Sequence, residues 1–373
     1  MRNTVLFSAG DPSGDLHAAA VAAELSRLRP DLALTGVGGP RMQAAGVDIT
    51  EDMTAQAVMG FIEIVRHLPR HVALLNELGR RMRGGEIRLL LCVDYGGMNL
   101  RLATRAPRGG GRVPVLYYIT PQVWASRPGR MASMACTITK AAVILPFEEP
   151  LLRANGIDAT FVGHPLLDEM AGLPDASTAR RLLGLPEDGP LLAVFPGSRA
   201  QEIERLLDPF VDTARELQRR IPSLRVVVSR APGVDLDPGR CPYPTVSDQS
   251  GLLLRAATAA LCKSGTTTLQ AAVAGCPLVV AYRTSRWTYE IARRVVTIPR
   301  IGLVNVVADR EVAREFVQGA VVPRAMADAL APLLDTGSSE RASALADLES
   351  VRRQLGTPGA ARRVAELASG LAG

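Results

Sequence analysis

Aromatic side chains are scarce in this chain: Phe, Trp and Tyr together make up 4% of its 373 residues. Proteins that hold single-stranded nucleic acid stack bases on aromatics interleaved with basic residues, and no such platform is visible, so nucleic acid is not an expected partner. Cysteine is sparse too. Cys92, Cys136, Cys241, Cys262 and Cys276 are odd in number, scattered and never paired as CxxC. That pattern argues against a disulfide framework or a zinc site and fits a reducing cytoplasm. Of four histidines, His67 and His71 stand four apart without an HExxH motif, and they read as surface residues rather than metal ligands. No run of about 18 uncharged apolar residues occurs, so no transmembrane span is expected. The apolar patch near the start is too short for a secretory signal and reads as a first β-strand.

What is present is a soluble globular composition, 47% hydrophobic and 21% charged, long enough for two domains. The formal net charge of +6, from 43 basic and 37 acidic residues, mildly favours phosphorylated substrates or an anionic surface. Short apolar runs alternate with amphipathic stretches: "NTVLFSA", "LALTGVGG", "IRLLLCVDY", "VPVLYYIT", "AAVILPF" and "ATFVG", each followed by a helical pattern. Near-continuous apolar strands are buried on both faces, which predicts a parallel sheet covered by helices. The rhythm lapses over 171–188, where Pro, Gly and charge rise, and a linker is placed there between a first domain at 1–170 and a second at 189–355. In the second, "GPLLAVF", "LRVVVSR", "YPTVSD", "ATAALCK" and "CPLVVAYR" restart the pattern. Both halves read as doubly wound α/β domains. The tail from about 325 is helical and rich in Ala and Arg.

Three strand-to-helix turns carry candidate chemistry. In "SAGDPSGDLHAA", Gly10 and Gly14 permit close approach to the backbone beside Ser13, at the start of a helix with unpaired N–H groups. The alternative is a plain βα turn capped by Asp15. The segment lacks the GxGxxG dinucleotide spacing. In "VFPGSRAQEIERL", Gly197 and Ser198 open a helix and Arg199 can grip a diphosphate bidentately, although turn chemistry alone accounts for Pro-Gly-Ser. No Walker Lys follows. In "CKSGTTTLQAAVAG", Ser264, Gly265 and Thr266 bring hydroxyls, N–H groups and a helix dipole together, a cradle worth about 1–2 kcal/mol to a phosphate from the dipole alone. Gln270, one turn on, is within reach of a sugar hydroxyl. Residues 60–83 are apolar on one face and basic on the other, which suits either a helix packed on its own core or one lying on anionic lipid.

Taken in order, "SAGDPSGDLH", "GVGGPRM", "VMGFIEIVRHLPR", "VDYGGMNLRLA", "YYITPQVWASRPGR", "FVGHPL", "FPGSRAQEIERL", "SGTTTL" and "LVNVVADREVAREFVQ" resemble the lipid-A-disaccharide synthase family over nearly the whole chain. The resemblance implies a GT-B architecture, two Rossmann-like domains facing across a cleft, the first on the acceptor and lipid side and the second binding UDP-sugar. It implies an inverting transfer of 2,3-diacylglucosamine from UDP to the 6-hydroxyl of 2,3-diacylglucosamine 1-phosphate, with no metal or other cofactor. It also implies a cytoplasmic protein peripherally associated with the inner membrane. Phe61, Ile64, Val65, Leu68, Val72 and Leu75 become membrane-facing candidates. The segment 356–373 becomes a helix that packs back on the first domain or is exchanged in a homodimer; a monomer is the other expectation.

The family's D-x-P-D-F-N stretch aligns with Asp94 to Asn99, which makes Asp94 the implied general base and Asn99 a substrate-binding residue. Asn305, Arg310, Glu311 and Gln318 are carried over as donor-site candidates. Departures stand at Gly96, Gly97 and Met98, at Gln270 where Glu is usual, at Asp11 and at Ser126. They keep two other readings open: a GT-B enzyme with another sugar donor or acceptor, and a nucleotide- or lipid-binding protein without turnover.

Overall fold

A computed structural model describes residues 3–53, 68–108, 111–126, 129–295 and 298–373. The chain divides into two compact units, Met1–Pro165 with Gly356–Gly373, and Leu166–Leu355.

The first unit contains, in order, β1 (Thr4–Ser8), α1 (Pro12–Leu28), β2 (Ala33–Gly38), α2 (Pro40–Ala44), β3 (Asp48–Asp52) and α3 (Leu68–Arg83). Then come β4 (Ile87–Val93), α4 (Gly96–Ala103), β5 (Val115–Tyr118), α5 (Val123–Ser126), α6 (Arg130–Thr137), β6 (Lys140–Val143), α7 (Glu148–Ala154) and β7 (Ala159–Phe161). Among the described residues the strands form a seven-stranded sheet in the order β3-β2-β1-β4-β5-β6-β7, parallel throughout. The order reverses between β1 and β4. Ligands of open parallel sheets bind at such a switch point, beyond the carboxyl ends of the strands. The register sets Ser8 opposite Cys92, so the loops after both strands emerge side by side. β1 and β4 are buried almost end to end, as their unbroken apolar runs require. β3 is different: the sequence DITED alternates at the sheet edge, where one face meets water, and it gives no apolar run to recognise.

The second unit contains α8 (Leu166–Glu169), α9 (Ala176–Leu182), β8 (Leu191–Phe195), α10 (Ala200–Arg220), β9 (Arg225–Arg230), β10 (Thr245–Ser247), α11 (Ser250–Ala256), β11 (Ala259–Lys263) and α12 (Thr267–Ala274). It continues through β12 (Leu278–Tyr282), α13 (Arg286–Val295), α14 (Leu303–Ala308), β13 (Glu315–Val317), α15 (Pro323–Leu334) and α16 (Ser339–Gln354). Its parallel sheet runs β10-β9-β8-β11-β12-β13, with the switch point between β8 and β11. The stretch 171–188, whose composition suggests a linker, carries α9 and lies in this unit. Arg180 is buried there, donating to the carbonyls of Ala256, Glu187 and Gly189 at 2.8–2.9 Å. A residue that reads as surface charge is thus used to close backbone carbonyls.

The last helix, α17 (Ala360–Ala372), returns to the first unit and packs on α1. Val364, Ala365, Ala368 and Ala372 join Val21, Ala22 and Leu25 in one buried cluster. The guanidinium of Arg363 donates to the carbonyl of Val162 at 2.8 Å and so pins the entry to this helix. Among the described residues no helix is long and apolar enough to cross a membrane.

Candidate functional site

In the first unit the switch point is built around Asp94, the residue that follows β4. Both Asp94 and Tyr95 have φ of 48°, a left-handed turn that costs a non-glycine residue energy and needs support. Asn99, fully buried, supplies it. Its Nδ2 donates to the carbonyls of Ser8, Val93 and Asp94 at 3.1, 3.2 and 2.9 Å, and its Oδ1 accepts from Ser8 Oγ at 2.6 Å. The Tyr117 hydroxyl also donates to the Asp94 carbonyl, at 2.8 Å. Gly10 completes the arrangement by having no side chain: a Cβ there would lie 2.1 Å from the Tyr95 ring.

Electrostatics suit Asp94 to proton removal. Burial, then the nearby Asp11 carboxylate, push its carboxyl up to about 6, against the opposing N–H of Tyr95, which donates to Oδ1 at 2.8 Å. A base poised near neutral pH transfers protons best there. His17, edge-on to Tyr118, is brought down to about 4 by burial, and His164 likewise by burial and then by His17, so both imidazoles are neutral at pH 7.

Several expectations take a different form in this unit. Asp11, not Asp15, caps α1 by accepting from the Gly14 N–H at 2.6 Å. Asp15 is buried and instead accepts from Gly39, Arg41 and Met42 N–H at the start of α2. Ser13 is exposed and sits 3.3 Å from His17 Nε2. Asn99 is spent on backbone carbonyls, so it positions the Asp94 turn and does not itself face substrate. Phe61, Ile64 and Val65 lie outside the described residues, and Leu68 opens α3. Val72 is 43% exposed, but Leu75 is 3% exposed and packs inward with Leu78 and Met82 on one stripe of that helix. Leu75 is therefore a core residue and not a membrane contact.

In the second unit both flagged turns meet at the β8–β11 switch point, around a cavity of about 400 Å³ lined by Gly197, Ser198, Arg199, Lys263, Gly265 and Thr266, among others. Gly197 has φ of 132°, and a Cβ there would come within 2.7 Å of Glu202. Glu202 Oε2 accepts from the Ser198 N–H at 3.0 Å, and its Oε1 pairs with Lys263 Nζ at 2.9 Å. Burial opposes ionisation of Glu202, but Lys263 and the N–H groups of Ser198 and Arg199 outweigh it and hold the carboxyl below its usual range. Arg199 is exposed at the cavity, with no ion-pair partner among the described residues. The cavity therefore offers an arginine, a lysine and two helix starts, the chemistry of a diphosphate site.

The structure divides the remaining donor candidates. Gly265 and Thr266 line the cavity, whereas the Ser264 hydroxyl donates to the Ile301 carbonyl at 2.6 Å and shapes the turn instead. Gln270 is half-buried one turn into α12. Asn305 is fully buried, its Oδ1 accepting from Val312 and Ala313 N–H and its Nδ2 donating to Ala313 O and Glu315 Oε1. Arg310 pairs with Asp347 at 2.6 Å, and Glu311 accepts from the Glu315 N–H at 3.3 Å. Gln318, at φ 54°, accepts from the Thr284 N–H at 2.9 Å. These four therefore hold backbone or ion pairs in this structure. Sequence reasoning passed over Lys263, Glu202, Ser229 and Arg230 at the cavity. Lys263 ends an apolar strand, and a charge at that position is the signal that would have found it.

The chain resembles known proteins along its whole length. The family model described as Lipid-A-disaccharide synthetase matches residues 5–369. Lipid-A-disaccharide synthase of Anaeromyxobacter sp. (strain K) is 39% identical, covering 98% of this chain and 97% of the relative. That of Syntrophus aciditrophicus (strain SB) is 38% identical, covering 98% and 96%. Among solved structures, the glycotransferase of kitacinnamycin superposes with a TM-score of 0.65 at 18% identity, covering 99% of this chain and 98% of that one. The calicheamicin glycosyltransferase CalG4 gives 0.60 at 15%, covering 98% and 97%. At such identities the structures speak for the fold alone, which is GT-B. With family motifs, switch-point cradle and full-length relatives in agreement, the chain belongs to the lipid-A-disaccharide synthase family.

Proposed function

We propose that this protein transfers 2,3-diacylglucosamine from UDP-2,3-diacylglucosamine to the 6-hydroxyl of 2,3-diacylglucosamine 1-phosphate, forming a β-1,6 link and releasing UDP. The observation that carries this reading is Asp94 at the β1–β4 switch point, its carboxyl lifted to about 6 in a chain matched by the family over residues 5–369. The acceptor oxygen forms the new bond at the donor's anomeric carbon on the face opposite UDP. Asp94 takes the hydroxyl proton, and the bonding pair of the departing glycosidic bond leaves with the diphosphate. Proton removal of this kind contributes about 10²–10⁴-fold. Arg199 and Lys263, with the turn at Gly265 and Thr266, stabilise the negative charge that grows on the diphosphate.

The transfer is read as independent of metal and cofactor, since charge on the diphosphate is met by Arg199 and Lys263. Among the described residues no three His, Cys, Asp or Glu side chains cluster to hold a metal. Peripheral association with the cytoplasmic face of the inner membrane belongs to the same reading, because both substrates carry acyl chains. Trp287, 82% exposed on α13 beside Arg286, with Arg293 and Arg294 further along, is suited to anionic headgroups. Either a monomer or a homodimer that exchanges this last helix is compatible with the reading, since α17 covers α1 in both.

The test is a detergent-based transfer assay with both acylated substrates, comparing wild type with Asp94→Asn in the presence and absence of chelator. Disaccharide from wild type, lost in the variant and indifferent to chelator, is expected. Full turnover by Asp94→Asn would remove the assigned base, and no product from wild type would remove the reaction itself.

A further inference from the structure

The first unit carries a second cavity, of about 460 Å³, which the proposed reaction has not used. Its lining includes Gly96, Gly97, Arg101 and Arg105 from α4 and the turn after it, and Arg130 and Ser133 from α6. Three arginines and no carboxylate line it. Elsewhere on this protein exposed arginines are commonly neutralised by a neighbour: Arg27 by Glu24, Arg153 by Glu149, Arg215 by Asp212, Arg240 by Glu204 and Asp208. Arg101 and Arg130 are exposed and have neither an ion pair nor a hydrogen bond to an acid among the described residues. Arg105 is half-buried and held in place by its donations to the Arg101 carbonyl at 3.0 Å and to Asn76 Oδ1 at 3.4 Å. Holding like charges together around a concavity costs free energy that an anion recovers.

Gly97 borders open space at this cavity, where an added Cβ meets nothing within 4 Å. Gly96 and Gly97 follow Asp94 by two and three residues, so this cavity lies at most about 11 Å from the base along the backbone. The acceptor in the proposed reaction carries its 1-phosphate on C1 and its reacting 6-hydroxyl on the carbon that branches from C5, and these two ring carbons flank the ring oxygen. A phosphate site on the same short stretch of chain as the base suits such a molecule.

We infer that Arg101 and Arg130, on the scaffold of Arg105 and Gly97, bind the phosphomonoester of the acceptor and so select a 1-phosphorylated over a dephosphorylated sugar. The inference rests on the transfer reaction proposed above. Guanidinium groups match phosphate oxygens bidentately. The same chemistry would also suit the headgroup of an anionic phospholipid.

The experiment compares kcat/KM for 2,3-diacylglucosamine 1-phosphate with that for 2,3-diacylglucosamine, in wild type, Arg101→Gln, Arg130→Gln and the double variant. Both arginines are exposed, so the fold tolerates glutamine at either. The preference for the phosphorylated acceptor is expected to fall about tenfold for each guanidinium lost, the scale of one charged hydrogen bond, through KM and not kcat. In parallel, binding to phosphatidylcholine vesicles containing phosphatidylglycerol is measured for the same proteins. An undiminished acceptor preference in the double variant overturns the inference, and weakened vesicle binding alongside it would assign the arginines to the membrane surface. Wild type that transfers to both acceptors equally well also overturns it. Wild type that transfers to neither removes the parent reaction instead, and the two failures are thereby told apart.

Discussion

Ser8 and Asn99, 91 residues apart, exchange hydrogen bonds in the core: the serine hydroxyl donates to Asn99 Oδ1 at 2.6 Å, and Asn99 Nδ2 donates back to the Ser8 carbonyl at 3.1 Å. The pair ties the end of β1 to the left-handed turn that presents Asp94. Removing the amide in Asn99→Ala strips a donor from three backbone carbonyls at once, and buried groups left short of partners cost about 1–3 kcal/mol each. We expect a loss of about 3 kcal/mol in urea unfolding, together with a kcat lower by about tenfold or more because the base is misplaced.

Asp94 is costly to keep. Its carboxyl rises from 3.8 in the unfolded chain to about 6 in the fold, so the native state binds the proton more tightly. The stability this proton lends is complete below pH 4 and is lost as pH rises through 6. Asp94→Asn carries no such penalty and should be more stable than wild type by about 1–3 kcal/mol at pH 8. The difference should shrink on acidification towards pH 4. Wild-type kcat/KM should rise with pH to a plateau above about 6, because only the ionised carboxylate accepts the proton. Unfolding curves at pH 4.5, 6 and 8 and a pH–rate profile check both statements.

Two glycines near the base should respond differently to a methyl group. Gly10→Ala drives a Cβ to 2.1 Å from the Tyr95 ring, and overpacking typically costs about 1–3 kcal/mol. Gly97→Ala meets open space. Thermal melts should show a lower Tm for the first and little change for the second, with turnover falling in Gly10→Ala because Tyr95 follows Asp94.

At the donor cavity, Lys263 neutralises Glu202, and the two halves of that pair are not equivalent. Lys263→Met leaves a half-buried carboxylate facing an incoming diphosphate, and UDP affinity should drop by about 10–100-fold. Glu202→Gln keeps an acceptor for the Ser198 N–H and leaves the lysine free to meet the ligand, so its loss should be smaller. Calorimetric titration with UDP separates them, and a larger effect for Glu202→Gln would contradict the assigned polarity.

Much of this was legible in the sequence. Strands buried on both faces write unbroken apolar runs, which is why β1, β4, β8 and β11 announce themselves, and the loops after them carry Asp94, Arg199 and Thr266. β3 and β13 do not announce themselves: both lie at sheet edges, β3 alternates between its faces and β13 is three residues long. The roles of Asn99, Asn305 and Ser264 were less legible for a different reason. A polar residue beside a site reads the same whether its side chain meets a ligand or a backbone carbonyl brought there by a distant strand. Leu75 was misjudged because an amphipathic helix has one apolar stripe, and the stripe does not say whether protein or lipid covers it.

The return of α17 to α1 has a consequence for the order in which the protein is made. Residues up to Pro165 leave the ribosome before the second unit, yet the helix that covers Val21, Ala22 and Leu25 is made only after it. Throughout translation of the second unit that face of α1 waits uncovered. The second unit, continuous from Leu166 to Leu355, has no such dependence. A stop placed between Leu355 and Ala360 therefore leaves the later-made unit intact and the earlier-made one unfinished.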